Sequence, residues 1–205
     1  NPGASGDRTT RARCLFGMNN GSYYIAKYRP TGSWYRANAY QDDVHIYIYR
    51  ATQYHMMLAE ALNHLKRFKA MNAVLNSGVK TADFSPTDPE WKGFTQNWTS
   101  SAEWGTRKYP SMGIRGCLNL AARPVKTNTD ELGDNDMAIL NETMLEFACE
   151  GKVYPVMNRM AMRYKDPSIV ADRVCPKYQG TGREGDIRSK IMAGGYWVPF
   201  DLKLK

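Results

Sequence analysis

Glu146 and Glu150 stand four residues apart in the run Ile139 to Met160, ILNETMLEFACEGKVYPVMNRM. That spacing stacks two side chains on one face of a helix. Paired carboxylates do the chemistry of glycoside hydrolysis, but there they flank the scissile bond across a cleft, about 5–9 Å apart. Two acids on one helix do not flank anything, so ion pairing with Lys152, Arg159 or Arg163 is the better reading. The histidines His45, His55 and His64 lie in or beside a single helical pattern and outside any H-E-x-x-H motif. His55 and His64 fall roughly 180° apart around a helix and cannot share a site on it; they read as surface groups or satisfied core groups. Cys14, Cys117, Cys149 and Cys175 form no C-x-x-C pair and have no histidine at ligand spacing, so no zinc site is expected. Nucleophile-elbow, phosphate-loop and dinucleotide-binding patterns are missing as well. The chain reads as non-enzymatic, with no cofactor and no metal.

Aromatic side chains in polar loops remain. Trp34 and Tyr35 follow Gly32-Ser33, and Trp98 and Trp104 stand among Ser, Thr and Asn. Such rings stack on the apolar faces of sugars while neighbouring polar groups bond the hydroxyls. These four are the candidate ligand platform. The alternative is that the rings plug loops onto helices or face a partner protein.

The elements that would position them follow from periodicity. Cys14 to Met18 and Tyr23 to Tyr28 flank Asn19-Asn20-Gly21-Ser22, a hairpin signal. From about Val44, Tyr47, Arg50, Tyr54, Met57, Leu58, Ala61, Leu62 and Leu65 recur at helical spacing and predict the longest helix. A second helix is expected from Ala70 to Leu75, stopping at Asn76-Ser77-Gly78, which makes an αα-hairpin of tetratricopeptide type. Residues 79–134 are loop-rich, with a short strand expected at Cys117 to Leu120. Helices then run from about Asn135 to a stop at Gly151, on to about Lys165, and from Ser168 to about Arg173. Ile187 to Met192 predicts one or two helical turns, and Tyr196 to Phe200 an extended apolar plug. The fold class is mainly α, with helical hairpins, loop-rich insertions and a small β-hairpin. Residues 1–205 are expected to form a single unit, with 1–40 hairpin and loops, 44–78 the αα-hairpin, 79–134 the insertion and 135–205 the C-terminal helices and tail.

The formal net charge is +8, but residues 1–40 hold six basic residues against Asp7 alone, and the other 165 residues carry 22 basic and 19 acidic side chains. The latter is ordinary surface mixing. A basic, aromatic N-terminal segment could track phosphates, yet no nucleic-acid-binding motif accompanies it, and no nucleic-acid partner is expected. No run of about eighteen apolar residues predicts a membrane-spanning helix.

Several separated segments resemble the C-terminal part of the SusD/RagB family. They are Ile48-Tyr49-Arg50-Ala51 through Leu58-Ala59-Glu60-Ala61-Leu62-Asn63, Ala73-Val74-Leu75-Asn76-Ser77-Gly78, Gly113-Ile114-Arg115-Gly116, Leu140 through Gly151 with Tyr154 and Arg159, Ala171-Asp172-Arg173-Val174, and Ile187-Arg188-Ser189-Lys190 with Trp197-Val198-Pro199. The resemblance implies a helical scaffold whose loop-rich face captures an oligosaccharide, or another nutrient, for a SusC-like TonB-dependent transporter. It also implies an extracellular-facing place at the cell outer membrane, held by a lipid anchor on an N-terminal segment outside this sequence, and a missing N-terminal part of the chain as partner. Glu60, Glu150, Gly151 and Arg159 resemble scaffold elements, and no ligand residue carries over by position. Val153 and Pro155 replace the basic and aromatic residues usual after Glu-Gly-Lys, so the second helix of that motif is expected to start late. A helical-repeat module that binds protein instead of sugar is the alternative function, and a basic nucleic-acid binder a weaker one.

Overall fold

The computed structural model describes residues 16–25, 48–95, 103–104, 107–108, 113–116, 118 and 120–196. The described residues are mainly helical, with two short hairpins. The chain groups into two compact units, Asn1–Glu146 and Phe147–Lys205.

In the first unit, Phe16–Asn19 (β1) and Ser22–Ile25 (β2) pair antiparallel, with Phe16 opposite Ile25 and Asn19 opposite Ser22. Their loop is Asn20-Gly21, with φ of 49° and 78°. Two positive φ values are what a type I′ hairpin turn requires, and Asn-Gly adopts them at least cost. Ala51–His64 (α1) and Phe68–Leu75 (α2) form the helical hairpin. Met56, Ala59, Glu60 and Asn63 are buried at helical spacing, with Leu62 beside them, and so mark the inner face of α1. On α2, Phe68, Ala70, Met71, Ala73, Val74 and Leu75 are buried, because this helix packs against α1, against a 3-10 turn at Pro89–Trp91 and against a one-turn helix, Gly113–Gly116 (α3).

The first helix starts later than its periodicity suggests. Ile48 to Arg50 are not helical, and Arg50 is extended at φ −132° and ψ 157°. Its guanidinium donates to Glu146 Oε1 at 2.6 Å and to the Glu146 carbonyl at 2.8 Å, an attachment that fixes the chain just before the helix. The turn after α1 is closed by Lys66 in the left-handed region, φ 56°. Lys66 N–H bonds the Asn63 carbonyl and Arg67 N–H the Leu62 carbonyl, both at 2.9 Å. This is a Schellman closure, usually made by glycine.

Gly113, φ 67°, is where glycine is required. A Cβ there would stand 2.4 Å from the Asn76 carbonyl oxygen and 2.7 Å from that of Ala73. The close approach lets Gly116 N–H bond the Asn76 carbonyl at 2.8 Å and so caps the end of α2. The strand expected at Cys117 to Leu120 is not what Leu118 and Leu120 show. The N–H groups of both bond the Arg115 carbonyl at 3.1 Å, which curls the backbone into a turn and leaves it unable to pair as a strand.

Gly133–Glu146 (α4) packs against α1. Beneath it lies a buried charge cluster. Glu142, fully buried, accepts on Oε2 from Arg115 Nη1 at 2.5 Å and from Arg123 Nε at 2.9 Å. Asn76 completes the clamp: its Oδ1 accepts from Arg123 N–H at 2.7 Å and its Nδ2 donates to the Arg123 carbonyl at 3.0 Å. Backbone and side chain of the 120–123 segment are thereby fixed to α2 and α4.

In the second unit, Val153–Tyr164 (α5), Ser168–Val174 (α6) and Glu184–Met192 (α7) follow one another, with a 3-10 turn at Cys175–Tyr178. The intervening turn includes Cys149 and Gly151 at φ 64° and 71°. The expected late start of the helix after Gly151 is overturned, since α5 begins at Val153 with Pro155 in its first turn. Proline is tolerated there because a first-turn N–H has no helical acceptor to lose. Met157, Met160, Ala161, Ile169, Val170, Ala171, Cys175 and Ile191 are buried, and α6 packs on both α5 and α7.

Candidate functional site

Of the four aromatic residues read as a ligand platform, Trp34, Tyr35 and Trp98 lie outside the described residues. The structure places the backbone of Trp104. Glu103–Trp104 (β3) pairs antiparallel with Arg107–Lys108 (β4), Trp104 opposite Arg107 and Glu103 opposite Lys108. Trp104 and Arg107 form the inner of the two residue pairs in this hairpin.

The loop region that leads towards this hairpin is pinned by side chains. Trp91 is 3% exposed, with its ring 6.4 Å from Phe84 and 5.7 Å from Phe94, the latter nearly edge-on at 88°. Arg67, from the α1–α2 turn, lies 5.7 Å from the Phe94 centroid and donates to the Glu90 and Lys92 carbonyls at 2.6 Å each. Asp88 accepts from Glu90 N–H at 2.9 Å, and Glu90 Oε2 accepts from Ala70 N–H at 3.3 Å at the start of α2. The loop and the α1–α2 hairpin thus cap each other. Trp91 is buried on a turn that packs against α2, the alternative role for such rings.

The acidic pair read from the sequence dissolves. Because α4 ends at Glu146, Glu150 lies outside that helix, where its N–H bonds the Phe147 carbonyl at 3.0 Å. The expected stacking on one helix face is absent. Arg50 binds Glu146, a partner the local spacing does not suggest.

A different constellation links α1 to α4. Asp136, in the first turn of α4 and fully buried, accepts on Oδ1 from Asn63 Nδ2 at 2.8 Å. Its Oδ2 lies 2.8 Å from His64 Nε2. Asn63 Oδ1 in turn accepts from Asn135 Nδ2 at 3.0 Å, and Asn135 is clamped to the backbone of Lys126, accepting from its N–H at 2.8 Å and donating to its carbonyl at 2.9 Å. Glu60 sits one turn before His64 on the same helix face. One ligand atom each from Glu60, His64 and Asp136 lies within 4.8 Å of the others. The i,i+4 spacing of Glu60 and His64 is visible in the sequence; the approach of Asp136, 72 residues away, has no local signal. His55, on the same helix, is held below the ordinary imidazole range by burial and takes no part in the cluster.

Residues 7–168, well over half of the chain, match the SusD family. The chain belongs to that family. Membership in the SusD family carries nutrient or glycan binding as its general function, by binding proteins and not enzymes. No curated protein and no solved structure gives a significant match. Several of the segments that carry the SusD resemblance now have physical roles: Gly113 to Gly116 supplies the glycine contact and the buried Arg115, and Arg50 ties the start of α1 to the end of α4. Among the described residues no helix is long and apolar enough to cross a membrane.

Proposed function

We propose that this protein binds oligosaccharide, without catalysis, as the surface-exposed nutrient-capturing partner of a SusC-like TonB-dependent transporter at the outer membrane, held there by a lipid anchor. Family membership over residues 7–168 is the observation that carries the reading. The architecture supports it: a rigid helical hairpin whose turn residue Arg67 anchors a long loop region by its backbone carbonyls, beyond which Trp98 and Trp104 follow in a polar stretch. Loops on a rigid scaffold are where recognition residues concentrate. Trp34, Tyr35, Trp98 and Trp104 are the proposed stacking residues.

Affinity electrophoresis in gels carrying a panel of plant and host polysaccharides tests this. Retardation by at least one glycan is expected, and Trp98→Ala with Trp104→Ala should weaken it by about tenfold, near 1.4 kcal/mol. Unchanged retardation with an intact circular dichroism spectrum would assign those rings to packing. Migration unaffected by every glycan would favour the second reading, a helical-repeat module that binds protein. One observation supports that reading: Tyr54, Met57 and Leu65, with Ala61 between them, form an exposed apolar stripe along α1.

A further inference from the structure

We propose that Glu60, His64 and Asp136 form a site for a divalent transition-metal ion of the zinc class, bridging α1 and α4. Three observations lead there. The donor set is two carboxylates and one imidazole, a combination suited to such ions, whereas calcium and magnesium take shells of oxygen alone. The three ligand atoms lie within 4.8 Å of one another; around a tetrahedral ion with bonds of about 2.0–2.1 Å, ligand atoms stand about 3.4 Å apart. Reaching that spacing calls for side-chain rotation of Glu60 and His64, which stand one helical turn apart. Finally, the site is already oriented from outside. Asn63 holds the far oxygen of Asp136 at 2.8 Å, and Asn135 holds Asn63. Hydrogen-bonded partners of this kind fix the direction of a ligating carboxylate.

The electrostatics point the same way. Glu60 and Asp136 are buried, and the His64 side chain is 33% exposed, so the imidazole forms the doorway and the carboxylates the floor. The ion would take the position of the proton between His64 Nε2 and Asp136 Oδ2, leaving the ring protonated at Nδ1 and any further proton with solvent. Joining two helices of the scaffold, the ion would act as a staple on the Asn1–Glu146 unit.

Isothermal titration of the chelator-treated full chain with Zn2+, paired with thermal unfolding, tests the site. Saturable 1:1 binding and a rise in Tm that a chelator reverses are expected. Co2+ in place of zinc should give visible d–d absorption of low-symmetry coordination. His64→Ala should abolish binding, the Tm rise and the cobalt bands; the metal-free Tm falls somewhat with the loss of the Asp136 contact, while circular dichroism keeps the wild-type shape. His55→Gln should retain all three. Zinc that leaves the wild-type Tm unmoved, or moves it equally in His64→Ala, would overturn the proposal. Should His64→Ala fail to fold, Glu60→Gln supplies the same comparison.

Discussion

The two units are held together by different means. In Asn1–Glu146 the buried set includes Glu60, Asn63, Asn76, Arg115, Asn135, Asp136, Glu142 and Thr143; in Phe147–Lys205 the described buried polar side chain is Asn158. The first unit must hold long irregular segments, and irregular backbone has no ladder to satisfy its own polar groups. Side chains such as Asn76, Asn135 and Arg67 do so instead, bonding carbonyls or N–H groups 9 to 47 residues away in sequence. The second unit is a run of short helices with local side-chain bonds to backbone, such as Asp166 Oδ1 accepting from Ser168 N–H and Thr181 donating to the Tyr178 carbonyl. Polar networks select a single arrangement of loops, while apolar packing tolerates adjustment.

Substitution at Glu142 should expose this difference most. Glu142→Ala leaves Arg115 and Arg123 facing a fully buried site with no carboxylate, and breaking a buried pair in this way costs about 3–5 kcal/mol. Urea denaturation followed by circular dichroism should register that loss. Adding Arg115→Met to Glu142→Leu should recover part of it, because the penalty comes from the stranded charge. If the single variant costs less than about 1 kcal/mol, the first unit does not depend on its charge cluster and the contrast fails.

Met160 is the matching position in the second unit. It is fully buried on α5, and Met160→Ala should cost about 2–4 kcal/mol from lost burial and the cavity left behind. Met160→Leu, which conserves volume, should cost less than about 1.5 kcal/mol. Denaturation of the pair distinguishes packing from specific contact: equal losses would mean that the sulfur itself matters, and the second unit would no longer be the tolerant one.

What could be read from the sequence divides along the same line. The Asn20-Gly21 turn, the αα-hairpin and the helix ending near Lys165 were all legible because each rests on local chemistry: two positive φ values, a helical stripe, a stop before Asp166-Pro167. The clamp of Arg50 on Glu146 was not, since its partners are 96 residues apart and local spacing favoured Lys152, Arg159 or Arg163. A strand at Cys117 to Leu120 looked reasonable by composition, yet the Arg115 carbonyl draws in the N–H groups of both Leu118 and Leu120. At the candidate site, the polar composition around Trp104 was readable, and so was the step from Glu60 to His64. Asp136 joins His64 only through the packing of α4 on α1, which no period or motif encodes.

Lysines in place of glycine give the finest test. The Schellman closure at Lys66 recurs in the second unit at Lys165, φ 51°, where Lys165 N–H bonds the Met162 carbonyl at 3.2 Å and Asp166 N–H the Ala161 carbonyl at 2.9 Å. The same closure after α7 uses Gly194, φ 91°. A side chain in this region costs about 1–2 kcal/mol, and glycine gives back about 0.5–1 kcal/mol through the entropy of the unfolded chain. Lys165→Gly should therefore stabilise by about 0.5–1 kcal/mol, read as a higher urea midpoint with unchanged slope. Lys66→Gly should gain less, because Lys66 also pairs with Asp130 and holds that carboxyl below its usual range through a hydrogen bond and charge; both groups are exposed, so the pair is a small term. Equal gains at the two lysines would show that the ion pair adds nothing and that backbone conformation alone sets the cost in both units.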